Sequence, residues 1–222
     1  MILLRGKKAT SKVPDSDVIR KYFPGLDDRQ IKKLELFAAR LTDWNSKINL
    51  VSRADTGELF VRHILHSLSI TRIVEFSHGT RILDVGTGGG FPGIPLAIFY
   101  PGVRFLLIDS IGKKIMAVND MIRELDLKNT EALKVRAEEI NGKFDFIVSR
   151  AVTRLLELYR LTAKNITPGG SNAIPNGIIC LKGGDLTAEL KDLARRAEIF
   201  EIERFFNESF FTSKKIVFIP RH

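Results

Sequence analysis

The chain has 222 residues, 44% of them apolar, enough for one large domain with a proper core and a smaller appendage. Its single cysteine, Cys180, excludes an intramolecular disulfide. With four scattered histidines it leaves no ordinary zinc ligand set, and no apolar run reaches membrane-spanning length. The net charge of +9 suits either a polyanionic partner such as nucleic acid or a generally basic soluble enzyme.

Residues 1–14 read as a basic, flexible leader, with Arg5, Lys7, Lys8 and Lys12 ahead of the first acid, Asp15. Basic residues after apolar Met1–Leu4 reverse the order of a signal peptide, and a reducing cytoplasm is expected. Asp15 and Ser16 are candidate caps for a short helix that ends at Pro24-Gly25. Asp27 or Asp28 starts a longer one, on which Ile31, Leu34, Phe37, Ala38, Leu41, Trp44 and Ile48 form a stripe. A third helix is expected over about 57–76. Residues 15–78 thus read as a helical region without a strand.

From His78-Gly79 the pattern changes. Strands are expected at 81–85, 103–109, 130–135, 144–149 and 178–182, alternating with helices at 93–99, 113–125, 154–166 and 186–197. This order implies a mostly parallel sheet with right-handed crossovers over 79–222. Two late runs, 199–205 and 215–219, suit an antiparallel hairpin at its edge. No internal repeat or low-complexity tract interrupts the chain.

The most informative segment is Leu83-Asp84-Val85-Gly86-Thr87-Gly88-Gly89-Gly90-Phe91-Pro92-Gly93-Ile94-Pro95. A strand running into an acid and a glycine-rich turn is how an α/β sheet holds a nucleotide-like ligand. A Cβ there would bar positive φ and close backbone approach. Gly88, Gly90 and Gly93 satisfy G-x-G-x-x-G, and Asp109 follows about 20 residues on, as in NAD sites. Against NAD stand Asp84 at the end of the first strand, glycines that begin at Gly86, and the lack of a second nucleotide-binding half. Asp109 is placed to accept from ribose hydroxyls. Asp84 either braces the loop or contacts the ligand.

This segment resembles motif I of the class I S-adenosylmethionine-dependent methyltransferases, which implies a Rossmann-like α/β sheet. The remainder narrows the likeness. Trp44-Asn45, Ile48-Asn49-Leu50, Arg62-His63-Ile64, Asp109-Ser110 with Lys113-Lys114, Ala137-Glu138, Ser149-Arg150-Ala151 and Leu181-Lys182-Gly183 resemble, in this order, the bacterial small-subunit ribosomal RNA guanine-N7 methyltransferases, the RsmG or GidB family. The resemblance implies S-adenosyl-L-methionine as cofactor and small-subunit (16S) ribosomal RNA, or the ribosomal subunit, as partner. It implies methyl transfer to a guanosine N7, with no metal and no membrane. It carries cofactor contact to Gly86, Phe91, Ala137, Glu138 and Arg150, with Asp84, Gly88, Asp109 and Ser110 beside them. Arg150 and Lys182 follow as candidates for positioning the substrate. The chain departs from the family at His66, where aspartate is usual, and at Ser171–Asn176, a longer segment expected to alter a loop near the substrate face.

Other readings stay open at this stage: a methyltransferase of the same fold acting on protein or a small molecule, or a nucleotide- or RNA-binding module without catalysis. Ser149-Arg150-Ala151, where other methyltransferases often carry Asn/Asp-Pro-Pro-Tyr/Phe, argues against the first. Trp44, Asn45, Asn49 and the His63/Ser67 pair read more readily as structural than as catalytic. Lys32-Lys33, Lys113-Lys114, Arg195-Arg196 and Lys214-Lys215 are candidate RNA contacts, along with the leader.

Overall fold

The computed structural model describes residues 16–52, 57–150, 154–191, 193 and 197–221. The leader, Asp15, Ala151 and Arg195-Arg196 lie outside the described residues. Seven strands, β1 (Arg81–Val85), β2 (Arg104–Asp109), β3 (Thr130–Lys134), β4 (Phe146–Arg150), β5 (Gly177–Gly183), β6 (Glu198–Glu201) and β7 (Lys214–Pro220), form one sheet. Its order is β3-β2-β1-β4-β5-β7-β6, parallel except for β7, which runs antiparallel to both neighbours. The expected edge hairpin is there, with β7 inserted between β5 and β6. Residues 202–204, expected as strand, instead turn as a 3-10 helix.

The sheet buries both faces. Ile82, Phe146, Val148 and Ile179 meet a layer built from α1 (Asp17–Tyr22), α2 (Asp28–Asn45), α3 (His66–Leu68), α4 (Gly93–Phe99) and α5 (Gly112–Glu124). Leu83, Val85, Ile147, Ile178 and Cys180 meet α6 (Leu155–Thr162) and α7 (Thr187–Lys191). Alternate residues of β1 feed opposite faces, as the two-residue period of a strand requires. Cys180 is fully buried, which pushes its thiol up to about 12, so it behaves as a small apolar core residue.

Helix starts differ in chemistry from one another. At α2 the Asp27 carboxylate accepts from the Gln30 amide at 2.7 Å, and the Asp27 amide donates to the Gln30 side-chain oxygen at 3.2 Å, a full capping box. Ser16 does not cap α1. Its hydroxyl donates instead to Glu35 at 2.6 Å and ties α1 to α2. The helix expected over 57–76 is a π-helix at Phe60–Leu65 that tightens through α3 into a 3-10 turn at Ser69–Arg72. Of the helix expected over 186–197, the described residues show α7 at Thr187–Lys191.

The helical region is locked to the end of the chain. The Arg72 guanidinium lies 4.4 Å from the Phe23 ring centroid and donates to the Tyr22 carbonyl, and the Tyr22 hydroxyl donates to Glu208. Trp44 is half-buried, its indole donating to Asp120 at 3.0 Å across to α5, which makes it a strut between helices. The Ser171–Asn176 segment lies at the amino edge of the sheet rather than the substrate face. It precedes β5, and Asn172 accepts there from the Ser77 amide and the Thr80 hydroxyl, just before β1. The expectation for that loop is therefore corrected: a loop entering a parallel strand sits at the end opposite the one where ligands bind.

Candidate functional site

The glycine loop joins β1 to α4 at the carboxyl edge of the sheet. The Gly86 and Thr87 amides both donate to the Ile108 carbonyl, which pins the loop to the end of β2. Gly86 and Gly88 hold φ of 69° and 59°, the left-handed region that glycine enters without strain.

Asp84 is fully buried and organises this loop from beneath. Its Oδ2 accepts from the Thr87 hydroxyl at 2.7 Å and from the Gly93 amide at 2.9 Å, tying strand, loop and the first residue of α4 to one oxygen. Asp84 does not line the cleft above, and both bonds of its Oδ2 serve to brace the loop. Burial pushes its carboxyl up to about 7, opposed by the two donors. The folded chain therefore holds this proton to higher pH than the unfolded one, whose ordinary value is 3.8. The stability this contributes is present below about pH 4 and is lost as pH rises through 7. Asp84→Asn removes the titration, while its side-chain oxygen can still accept from both donors. Unfolding followed across pH should show the variant gaining on the native chain by roughly 4 kcal/mol between pH 4 and 7.5. Parallel stability curves would contradict this.

Above the loop lies a cleft of about 620 Å³, within the range of small-molecule sites. Gly86, Gly88, Phe91, Asp109, Ser110, Ala137, Glu138 and Arg150 all line it, so eight of the nine residues assigned to the cofactor converge there. At the tip of β2 the Asp109 Oδ2 accepts from the Gly88 amide at 3.1 Å and its Oδ1 from the Ile111 amide at 2.9 Å. The Lys114 ammonium stands 3.8 Å from Asp109 Oδ2. Ala137 and Glu138 sit on a 3-10 turn after β3, with the Glu138 carboxylate half exposed.

Arg150 ends β4, its guanidinium 4.5 Å from the Phe91 ring centroid. Phe91 is buried against Phe37 and His63, with centroids 5.2 and 5.1 Å away. Burial first, then the charges of Arg150 and Arg62, lowers His63 to about 3, so its imidazole is neutral at ordinary pH. The Ser67 hydroxyl donates to the His63 carbonyl at 2.7 Å, a helix-internal bond that takes Ser67 out of any polar pair. His66 is also neutral, pushed well below its ordinary value by burial, and packs edge-on against Phe210 and Phe211.

Lys182 does not line the cleft. Its ammonium is held 3.0 Å from Glu189, whose carboxylate also accepts from the Leu155 amide, so it joins β5 to α6 and α7. Sequence reasoning missed Leu50, Lys114, Leu158 and Leu161 in the cleft wall. Leu50 had a visible signal: Asn45, five residues earlier, accepts from both the Leu50 and Val51 amides and fixes that turn against the loop. Among the described residues no three histidine, cysteine or carboxylate side chains gather as a metal site, and no helix is long and apolar enough to cross a membrane.

Solved structures share this architecture. A SAM-dependent methyltransferase from Aquifex aeolicus superposes with TM-score 0.56 at 15% identity, covering 81% of this chain and 97% of its own. A point mutant of MtNAS in complex with S-adenosylmethionine superposes at 0.58 and 14% identity, covering 93% and 78%. At such identities the likeness establishes the fold, that of the class I methyltransferases. Sequence comparison reaches further. A protein of Christiangramia forsetii called ribosomal RNA small subunit methyltransferase G is 51% identical, covering 92% of this chain and 96% of its own. Its namesake in Porphyromonas gingivalis is 46% identical, covering 96% and 97%. The family profile described as rRNA small subunit methyltransferase G matches residues 30–217, a span holding every cleft residue named above. Sheet order, glycine loop and sequence agree, and the chain belongs to the GidB family of small-subunit ribosomal RNA methyltransferases.

Proposed function

We propose that this chain transfers the methyl group of S-adenosylmethionine to N7 of a guanosine in small-subunit ribosomal RNA. The observation that carries the reading is the convergence of the family's cofactor positions on one cleft of suitable volume. The side chains there fit the cofactor. Asp109 spends one lone pair of each oxygen on a backbone amide and keeps acceptor capacity for ribose hydroxyls. Ile111 and Ala137 offer apolar walls for a flat base, and Gly86 and Gly88 allow close backbone approach. Ser110 and Glu138 add polar groups at the same rim.

When bound, S-adenosylmethionine supplies a methyl carbon activated by its sulfonium. Guanine N7 already carries an in-plane lone pair, so no proton has to leave before attack and no general base is needed. A His63 neutral to about pH 3, too weak a base for that task, is consistent with this. The chain has to align the reacting atoms and offset the positive charge that builds on the guanine ring. Arg150, over Phe91 at the cleft wall, is the candidate for this, donating to guanine O6. Lys182, committed to Glu189, contributes by holding β5, α6 and α7 together rather than by touching the base.

Residues 79–222 carry most of the cleft, residues 15–78 brace it and add Leu50 to its wall, and the reaction belongs in the cytoplasm. The test is transfer of labelled methyl from S-adenosylmethionine to ribosomal RNA from cells lacking this modification. Label in 16S RNA is expected. Label only in protein or in large-subunit RNA would overturn the reading.

A further inference from the structure

A second cavity, larger than the cofactor cleft, lies away from it. It is a groove of about 1130 Å³ across the amino edge of the sheet, where β1, β2 and β3 begin. Arg81 and Arg104 are its most telling pair. They are the first residues of β1 and β2, stand directly opposite each other in the ladder, and are both exposed. Like charges so placed repel, and only Arg81 has a ring contact, its guanidinium 5.4 Å from the Phe144 centroid. On the α2 side the groove is lined by Arg29, Lys33 and Lys128.

The carboxylates of the lining leave its guanidinium groups unanswered. Asp27 is committed to the cap of α2, and Asp126 pairs with Lys128 at 2.5 Å. Among the described residues Glu131 has no cation within ion-pair distance, and Arg29, Arg81 and Arg104 have no carboxylate within 4 Å. The Lys33 ammonium donates to the Asp126 carbonyl. Burial, then the charge of Arg29, lowers its pKa, with Lys128 adding to the effect against Asp126. The groove thus gathers five cations against three carboxylates, drawn from α2, β1, β2 and the segment before β3. Guanidinium groups in such a place suit phosphate, which they can grip through two parallel bonds.

We propose that this groove is a second ribosomal RNA contact, taking the phosphate backbone of a segment remote from the methylated guanosine. The inference rests on the reading of ribosomal RNA as acceptor. Arg81 opens β1 in the groove and Val85 closes β1 at the cofactor cleft, four residue steps or roughly 13 Å away. A folded RNA that offers a guanosine to the cleft would reach the groove with a different part of its backbone. Such contacts carry affinity and orientation without reading sequence.

The experiment compares the native chain with Arg29→Gln/Arg104→Gln and Arg29→Glu/Arg104→Glu for binding to 16S ribosomal RNA across a salt series. Neither residue lines the cofactor cleft, so S-adenosylmethionine affinity and the thermal midpoint should stay unchanged. The neutral variant should bind 16S RNA several-fold more weakly and the reversed one at least tenfold. The plot of log affinity against log salt should flatten by about 1 to 2 for two lost phosphate contacts. Native affinity and slope in the neutral variant, with loss confined to the charge-reversed one, would overturn the proposal. So would adenosine 5′-monophosphate binding in the groove while RNA affinity stays native in both variants, because the occupant would then be a free nucleotide. A native chain that methylates no ribosomal RNA would instead defeat the proposed function, so the two failures are distinguishable.

Discussion

Gly93→Ala lowers the affinity for S-adenosylmethionine at least tenfold and destabilises the fold by about 1–3 kcal/mol. A Cβ at Gly93 would stand 2.7 Å from Asp84 Oδ2 and 2.7 Å from Leu107 Cγ. Neither neighbour has room to yield, since both are fully buried, Leu107 inside β2 and Asp84 beneath the loop. If the carboxylate turns away, the Thr87 hydroxyl and Gly93 amide lose their acceptor, each bond worth on the order of 1 kcal/mol. The loop then shifts with nothing beneath to reset it. Gly25→Ala is the control, because a Cβ there meets nothing within 4 Å. Calorimetric titration with the cofactor and thermal unfolding measure both effects. Cofactor affinity within twofold of the native chain would show that Asp84 and Gly93 do not set the loop.

Arg150→Ala lowers single-turnover methyl transfer about 100-fold, or about 2.7 kcal/mol in barrier, with a smaller change in cofactor affinity. The guanidinium lies over the Phe91 ring and lines the cleft, so its loss removes the cation proposed to offset the developing charge. Arg150→Lys should recover little, because an ammonium has neither the planar face that lies on the ring nor the forked donors. A second readout separates position from damage. The Arg150 charge helps hold His63 low, so the imidazole pKa of His63 should rise in the alanine variant while the fold persists. A rate within threefold of native would remove Arg150 from the mechanism.

What could be read from the sequence was whatever depends on local spacing. The limits of β1 and α4 agree with the expectation residue for residue, because the glycine loop between them bounds both tightly. The convergence of Asp109, Ala137, Glu138 and Arg150 followed from their common place at or just beyond strand ends. Asp84 was half legible. Its position was plain, but its choice between bracing and binding depends on Gly93, nine residues on, turning its amide back beneath the loop. Lys182 looked equivalent to Arg150 because both end a strand, and only the packing of α7 reveals Glu189 across from it. The amino-edge groove was the least legible feature. Its cations come from α2, β1, β2 and the loop before β3, and no window of sequence holds more than two of them.

The central claim is that one cleft delivers a methyl group to guanine N7 in small-subunit ribosomal RNA. Chemical cleavage at 7-methylguanosine tests it most directly: 16S RNA treated with this chain and S-adenosylmethionine is reduced, cleaved with aniline and mapped. The account predicts one new cleavage site, absent without cofactor and lost with Arg150→Ala. Methylated 16S RNA that aniline leaves intact would place the methyl on another atom and contradict it.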